Sequence, residues 1–250
     1  MTFPMVFSMP FPTMPYSTIQ AITLDLDDTL WPVWPTIKKA EATLHDWLQA
    51  HAPSTAALLE TPETMRGRRD TLIAEFPHLA HDYNFLRTEA IRRSLVNGGD
   101  DPALAIPAYE VFTAARNSVE LYDDALPALQ YLAAKFPIIA ISNGTADIQR
   151  VGLVKYFKGA ISAHEFGIAK PDPRIFKAAA VALNVPIDRI LHIGDDATLD
   201  AQAAQQAGMH AAWLNREGTA WPHAELNQQG EPHHLPIKTV ASLAELCALL

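Results

Sequence analysis

A chain of 250 residues, 49% of them apolar, is long enough to bury one sizeable core, or a core with a smaller partner. Its net charge of -9 argues against nucleic acid and anionic membranes as main partners, since both attract basic surfaces, yet leaves room for a small anion at a local site. The single cysteine, Cys247, allows neither an internal disulfide nor a zinc cluster; it reads as a small buried hydrophobe and fits a cytoplasmic chain.

Residues 1–18 carry Pro4, Pro10, Pro12 and Pro15 and no basic residue. A signal peptide needs a basic start and an unbroken apolar run, so this segment reads as a disordered tail. No stretch approaches the ~20 apolar residues of a membrane span. Ile19 to Leu26 reads as a strand. From Pro35 to Ala50, the residues Ile37, Ala40, Leu44, Trp47 and Leu48 fall on one helical face. Thr61-Pro62 opens a second helix presenting Met65, Leu72, Ile73 and Phe76. A third runs from Asp82 to Val96 and ends at Asn97-Gly98-Gly99. Asp101-Pro102 opens a fourth, to about Val119.

Strands and helices then alternate. Strands are predicted at Ile138 to Ser142, Ile190 to Ile193 and Ala211 to Leu214, with helices at Ala125 to Lys135, Arg174 to Leu183 and Asp200 to Ala207. This pattern implies a parallel sheet with right-handed crossovers. Thr219 to Pro236 reads as a polar surface loop, and Ser242 with Glu245 has capping-box spacing before a last helix. The predicted architecture is a doubly wound, Rossmann-like α/β core made of residues 19–30 and 121–250, interrupted by an all-helical insert at 31–120. Ligands in such sheets bind outside the carboxyl ends of the strands.

The unusual polar residues sit at those ends. The first strand closes on Asp25-Leu26-Asp27-Asp28-Thr29, and strand periodicity directs Asp25 and Asp27 to one side. The second closes on Ser142-Asn143-Gly144. A loop carries Lys170-Pro171-Asp172. Another strand closes on Gly194-Asp195-Asp196, with Asp200 following. If these ends meet, several carboxylates converge on one lysine. Two like charges at ~4 Å cost about 4 kcal/mol at an effective dielectric of 20, so the cluster calls for a cation. Hard oxygen ligands without a dedicated cage suit Mg²⁺, which keeps waters and takes a phosphate oxygen.

The series Asp25-x-Asp27-x-Thr29, Ser142-Asn143-Gly144, Lys170-Pro171 and Gly194-Asp195-Asp196 resembles the four motifs of the haloacid-dehalogenase-like superfamily, in the family's order. The helical insert after the first motif is similar to the family's cap. Within the superfamily, Asp25 to Trp31, Ile138 to Gly144 and Leu183 to Trp213 resemble bacterial phosphatases acting on flavin mononucleotide and on the phosphorylated ribitylaminouracil precursor of riboflavin. The resemblance implies a phosphomonoester hydrolase acting on a small phosphorylated metabolite. It implies Asp25 as nucleophile and Asp27 as general acid and base. Mg²⁺ would be held by Asp25, the Asp27 backbone carbonyl and Asp195. Ser142 and the Asn143 amide would donate to phosphate oxygens, and Lys170 would balance charge.

Other readings stand beside these. A lone strand-end carboxylate most simply caps the next helix. Asp28 reads as a turn residue and Thr29 as fixing that turn. Asp196 and Asp200 could stand behind the metal's own ligands, bind its water or act as local caps. Trp31 could face the cleft. Trp47 reads as core, and Arg66, Arg68, Arg69, Arg92 and Arg93 as a solvated face. His223, His233 and His234 lack metal-site spacing. Asp27 argues against C–halogen and phosphonate hydrolysis, which need no acid at that position. A sugar-phosphate phosphatase or mutase retains both Asp25 and Asp27, and a catalytically inactive binding module is the alternative from another class.

Overall fold

The computed structural model describes residues 16–59, 71–222 and 237–250. Six strands form one parallel sheet: β1 (Ala21–Leu24), β2 (Ile138–Ser142), β3 (Gly159–Ser162), β4 (Ile190–Gly194), β5 (His210–Leu214) and β6 (Ile237–Val240). Their spatial order is β3-β2-β1-β4-β5-β6. The central strands are buried on both faces, which is why their sequences are continuous apolar runs.

Alternate residues of each strand serve opposite layers. Ile22, Leu24, Ile138 and Leu191 face a layer containing α5 (Ala125–Lys135) and α9 (Leu243–Leu249), through Leu129, Leu132, Leu243 and Leu246. Ala21, Ile139, Ile141 and Ile190 face a layer built on α7 (Pro173–Leu183), through Ile175, Phe176 and Ala179. Behind it lies α8 (Ala203–Ala207), entered through a wide π-type turn at Ala197–Gln202. A short α6 (Ala163–Phe166) follows β3.

Between β1 and α5 the chain forms a helical cluster of α1 (Val33–His51), α2 (Pro53–Leu58), α3 (Tyr83–Gly98) and α4 (Ala105–Arg116), with residues 71–75 also helical. It has its own core of Ala40, Leu44, Leu48, Ile91, Leu95, Ala108 and Phe112. Leu72 packs with Leu86 and Ala90, flanked by Ile73 and Phe76. Asp82 caps α3 by accepting from the Phe85 N–H, and Gly99 ends it at φ 77, where a side chain would be strained.

The structure departs from the sequence expectations at several boundaries. Asp101-Pro102 opens a short 3-10 turn at Pro102–Leu104, and α4 stops at Arg116 rather than near Val119. Edge strands β3 and β6 were not anticipated: each is four residues long, and β3 begins with glycine. Ser242 accepts from the Glu245 N–H, while Glu245 accepts from Ala241 rather than Ser242. Thr61-Pro62, Met65, Arg66, Arg68, Arg69 and the three loop histidines lie outside the described residues, as does the tail before Tyr16. Among the described residues no helix is long and apolar enough to cross a membrane.

Candidate active site

Strand β1 lies at the point where the winding of the sheet reverses, with β2 on one side and β4 on the other. Connections leave β2 and β4 in opposite directions there, opening a crevice at the carboxyl ends. The residues directly after β1 and β4, and the last residue of β2, are Asp25, Asp195 and Ser142. The sheet therefore brings together segments more than a hundred positions apart.

Lys170 is delivered from the loop before α7 and is buried. Its ammonium donates to Asp25 Oδ1 at 2.6 Å and to Asp200 Oδ1 at 2.5 Å. The same Asp200 oxygen faces His192 Nε2 at 3.1 Å, and His192 Nδ1 lies 2.9 Å from the Thr23 hydroxyl on the paired strand. Burial pushes the His192 ring down, so it sits neutral, with Nε2–H donating to Asp200 and Nδ1 accepting from Thr23. Asp200 Oδ2 accepts from the Asp196 N–H at 3.1 Å. Burial works to raise Asp200, but the Lys170 ammonium and His192 outweigh it and hold the carboxyl at about 2. Gly194 makes room for this group: a Cβ there would lie 2.3 Å from Asp200 Cγ. A run of buried, mutually satisfied polar groups thus fixes the lysine beneath Asp25.

Asp25, Asp195 and Asp200 each place one carboxylate oxygen within 4.8 Å of the others. Burial pushes Asp25 well above the usual carboxylate range; Lys170 opposes this, while Asp200 and Asp195 add to it. Burial pushes Asp195 up to about 7, with Asp200 and Asp28 reinforcing it and the Thr29 hydroxyl, which donates to it at 3.1 Å, opposing. Three carboxylates share one ammonium, and Asp200 already has both oxygens engaged. Asp25 and Asp195 are therefore the pair short of positive charge. Their hard oxygens fit a small divalent cation.

Asp27 faces a different set of partners. Its Oδ1 accepts from the Trp31 indole N–H at 2.8 Å. Arg116 Nη2 donates to both of its oxygens, at 2.5 and 2.6 Å. A Cβ on Gly144 would lie 2.2 Å from Asp27 Oδ2, so only glycine leaves space for this carboxylate. Trp31, expected as a candidate cleft-facing ring, is instead wholly buried and presents only its N–H to Asp27.

The remaining predicted residues have local tasks. Asp28, at φ 55, accepts from the Val33 N–H and so opens α1. Asp196 accepts from the N–H groups of Thr198 and Leu199. The Asn143 side chain exchanges two hydrogen bonds with the Lys170 backbone, at 2.8 and 3.0 Å, and ties the lysine loop to β2. Ser142 Oγ accepts from the Gly144 N–H, which leaves its own hydrogen to donate. Trp34 is exposed, Trp47 is half-buried against His51, and Arg92 and Arg93 pair with Glu89 and Glu75 on the surface. Cys247 is half-buried against the core. Arg116 and His192 were not singled out from sequence. A terminal arginine on a helix and a histidine in an apolar strand look ordinary until their distant partners are known.

A family model described as haloacid dehalogenase-like hydrolase matches residues 19–208. The chain is 32% identical to the 5-amino-6-(5-phospho-D-ribitylamino)uracil phosphatase YigB of Escherichia coli, over 94% of this chain and 98% of that one. It is 28% identical to a glyceraldehyde 3-phosphate phosphatase of Methanopyrus kandleri, over 79% of this chain and 84% of that one. A crystal structure of a 2-haloacid dehalogenase from Pseudomonas syringae superposes with a TM-score of 0.83 at 36% identity, covering 92% of this chain and 97% of that one.

Proposed function

We propose a specific reaction for a chain that belongs to the haloacid dehalogenase-like hydrolases: Mg²⁺-dependent hydrolysis of a small phosphate monoester through an aspartyl-phosphate on Asp25. The observation that carries this reading is the placement of Asp25 on Lys170 with Asp27 two residues on, at the sheet's switch point. Asp25 attacks phosphorus while the bond to the ester oxygen breaks on the opposite side. Asp27, after taking up a proton against its ion pair with Arg116, gives it to the departing alkoxide. Water then attacks the phosphorus, Asp27 takes the water's proton, and inorganic phosphate leaves with the Asp25 carboxylate restored. Ser142 Oγ, the backbone N–H of Asn143 and the Lys170 ammonium hold the phosphoryl oxygens. Asp25, Asp195 and the Asp27 carbonyl would hold Mg²⁺, which when bound neutralises these carboxylates and polarises a phosphate oxygen. Thr29 steadies Asp195, and Asp200 steadies Lys170.

Residues 31–120 act as a lid on the core of residues 19–30 and 121–250. The two chain crossings lie side by side: the Tyr122 N–H donates to the Leu30 carbonyl, and Arg216 links the Thr29 carbonyl to Asp124. Both crossings flank the catalytic turn, where a lid excludes water best.

The substrate class is a phosphorylated metabolite of the riboflavin pathway, flavin mononucleotide or the phosphorylated ribitylaminouracil, supported by likeness to the E. coli phosphatase along nearly the whole chain. A sugar phosphate is the second candidate, favoured by the triose-phosphate relative. The proposed setting is the cytoplasm. The Pseudomonas relative is called a 2-haloacid dehalogenase. A halide leaves without a proton, so Asp27 would have no part in that reaction. Phosphate release from a metabolite panel, with and without Mg²⁺, and halide release from 2-haloacids test the proposal. Metal-dependent phosphate release supports it; halide release without phosphatase activity contradicts it.

A further inference from the structure

We infer that Arg116 is a positioning residue for Asp27, supplied by the last turn of the helical insert and dedicated to the proton-transfer step. The inference rests on the phosphatase reading above. Arg116 ends α4, and its side chain is 2% exposed. Its Nη2 bridges both oxygens of Asp27. Its Nη1 is buried without a hydrogen-bond partner among the described residues. A guanidinium kept for capping its helix would turn its terminal nitrogens to the last carbonyls of α4. Here both hydrogen bonds of Nη2 run to a carboxylate 89 positions away.

The surroundings confirm that this end of the insert is registered on the site. Arg116 Nη2 lies 3.4 Å from where a Gly144 Cβ would be, beside the end of β2. The next residue, Asn117, is buried; its side-chain carbonyl accepts from the Asp147 N–H in the segment after β2, and its amide donates back to the Thr113 carbonyl of α4. The helix terminus is thereby pinned to the loop that follows Ser142-Asn143-Gly144. Trp31 and Arg116 approach Asp27 from the two chain crossings that join insert to core. One buried nitrogen meeting both oxygens holds the carboxylate end-on, while the indole N–H of Trp31 fixes it from the side. The orientation of the acid is consequently set by both connections of the insert. Displacing the insert would unseat Asp27 while leaving Asp25 and Lys170 in place.

The test measures the first half-reaction in single turnover with Mg²⁺, using an alkyl phosphate, whose leaving group needs a proton, and an aryl phosphate, whose leaving group does not. Arg116→Ala should slow the alkyl ester by about 10- to 100-fold, and the aryl ester by less than about threefold, because only proton donation is lost. Arg116→Gln, closer in size, should show the same contrast, and circular dichroism should show both variants folded. Guanidinium ion added to the alanine variant should restore part of the alkyl rate. In an Asp27→Asn background, Arg116→Ala should slow the alkyl ester by less than about threefold more, because the pair acts as one unit. Equal losses on the two esters in both variants, or full additivity with Asp27→Asn, would overturn the role of Arg116 while leaving the phosphatase reading intact. No phosphate release by the unaltered protein from either ester would overturn that reading and this inference together.

Discussion

Lys170 Nζ lies 2.6 Å from Asp25 Oδ1, although 145 positions separate the two residues in the chain. The lysine is held there from behind, by Asp200 and through it by His192 and Thr23. Asp25, its charge partner Lys170 and the support of that partner therefore form one buried unit across β1 and β4.

Asp200→Ala should destabilise the fold by about 3–5 kcal/mol, since it strands the Lys170 ammonium and the His192 N–H in the interior. Urea unfolding in EDTA measures this. A loss under about 1 kcal/mol would mean that water or Asp25 replaces Asp200 at little cost.

Gly144→Ala should act through Asp27, because the added methyl would overlap its carboxylate. The expected outcome is a loss of about 10²-fold on an alkyl phosphate, with a lower melting temperature because Asp27 is pushed off the buried Arg116. An unaltered rate would show that Asp27 need not occupy its present place.

The strand ends and the residues that crowd there were legible in the sequence. A strand buried on both faces reads as an apolar run, and Asp25, Ser142 and Asp195 stand out where such runs stop. Periodicity also located the insert helices through Leu44, Leu48 and Ile91. It could not find β3 or β6, whose four residues give too short a pattern and whose edge positions leave them partly exposed. Nor could it pair Arg116 with Asp27 or His192 with Asp200: such pairings depend on tertiary geometry. Trp31 shows the same limit, since proximity to the turn after Asp25 in sequence did not reveal that its ring lies in the core.

The metal-free protein should lose stability as pH rises from about 4 to about 7. Asp195 is raised from 3.8 to about 7 in the folded state, and Asp25 moves in the same direction. Through these two carboxyls the folded chain binds more protons than the unfolded chain across that window, a contribution that His192 and His210, both pushed down by burial, oppose near pH 6. The stability this confers is fully present below about 4 and is lost as pH climbs through 7. Mg²⁺ favours the ionised carboxylates, so it should raise the melting temperature more at pH 7.5 than at pH 5.5. Melting curves at several pH values, in EDTA and in Mg²⁺, measure both effects. Asp195→Asn should flatten the EDTA curve, and an equal Mg²⁺ effect at both pH values would contradict the assignment.

The central claim is that phosphorus becomes bonded to Asp25. Asp25→Asn should fold normally and lose more than about 10³-fold in turnover. The most direct measurement is to quench the enzyme in acid during turnover of a phosphate ester, reduce it with borohydride and map the peptides by mass. Borohydride converts an aspartyl-phosphate to homoserine. The account predicts homoserine at position 25 and nowhere else, formed only when substrate is present. Homoserine at another carboxylate, or none while phosphate is being released at full rate, would contradict it.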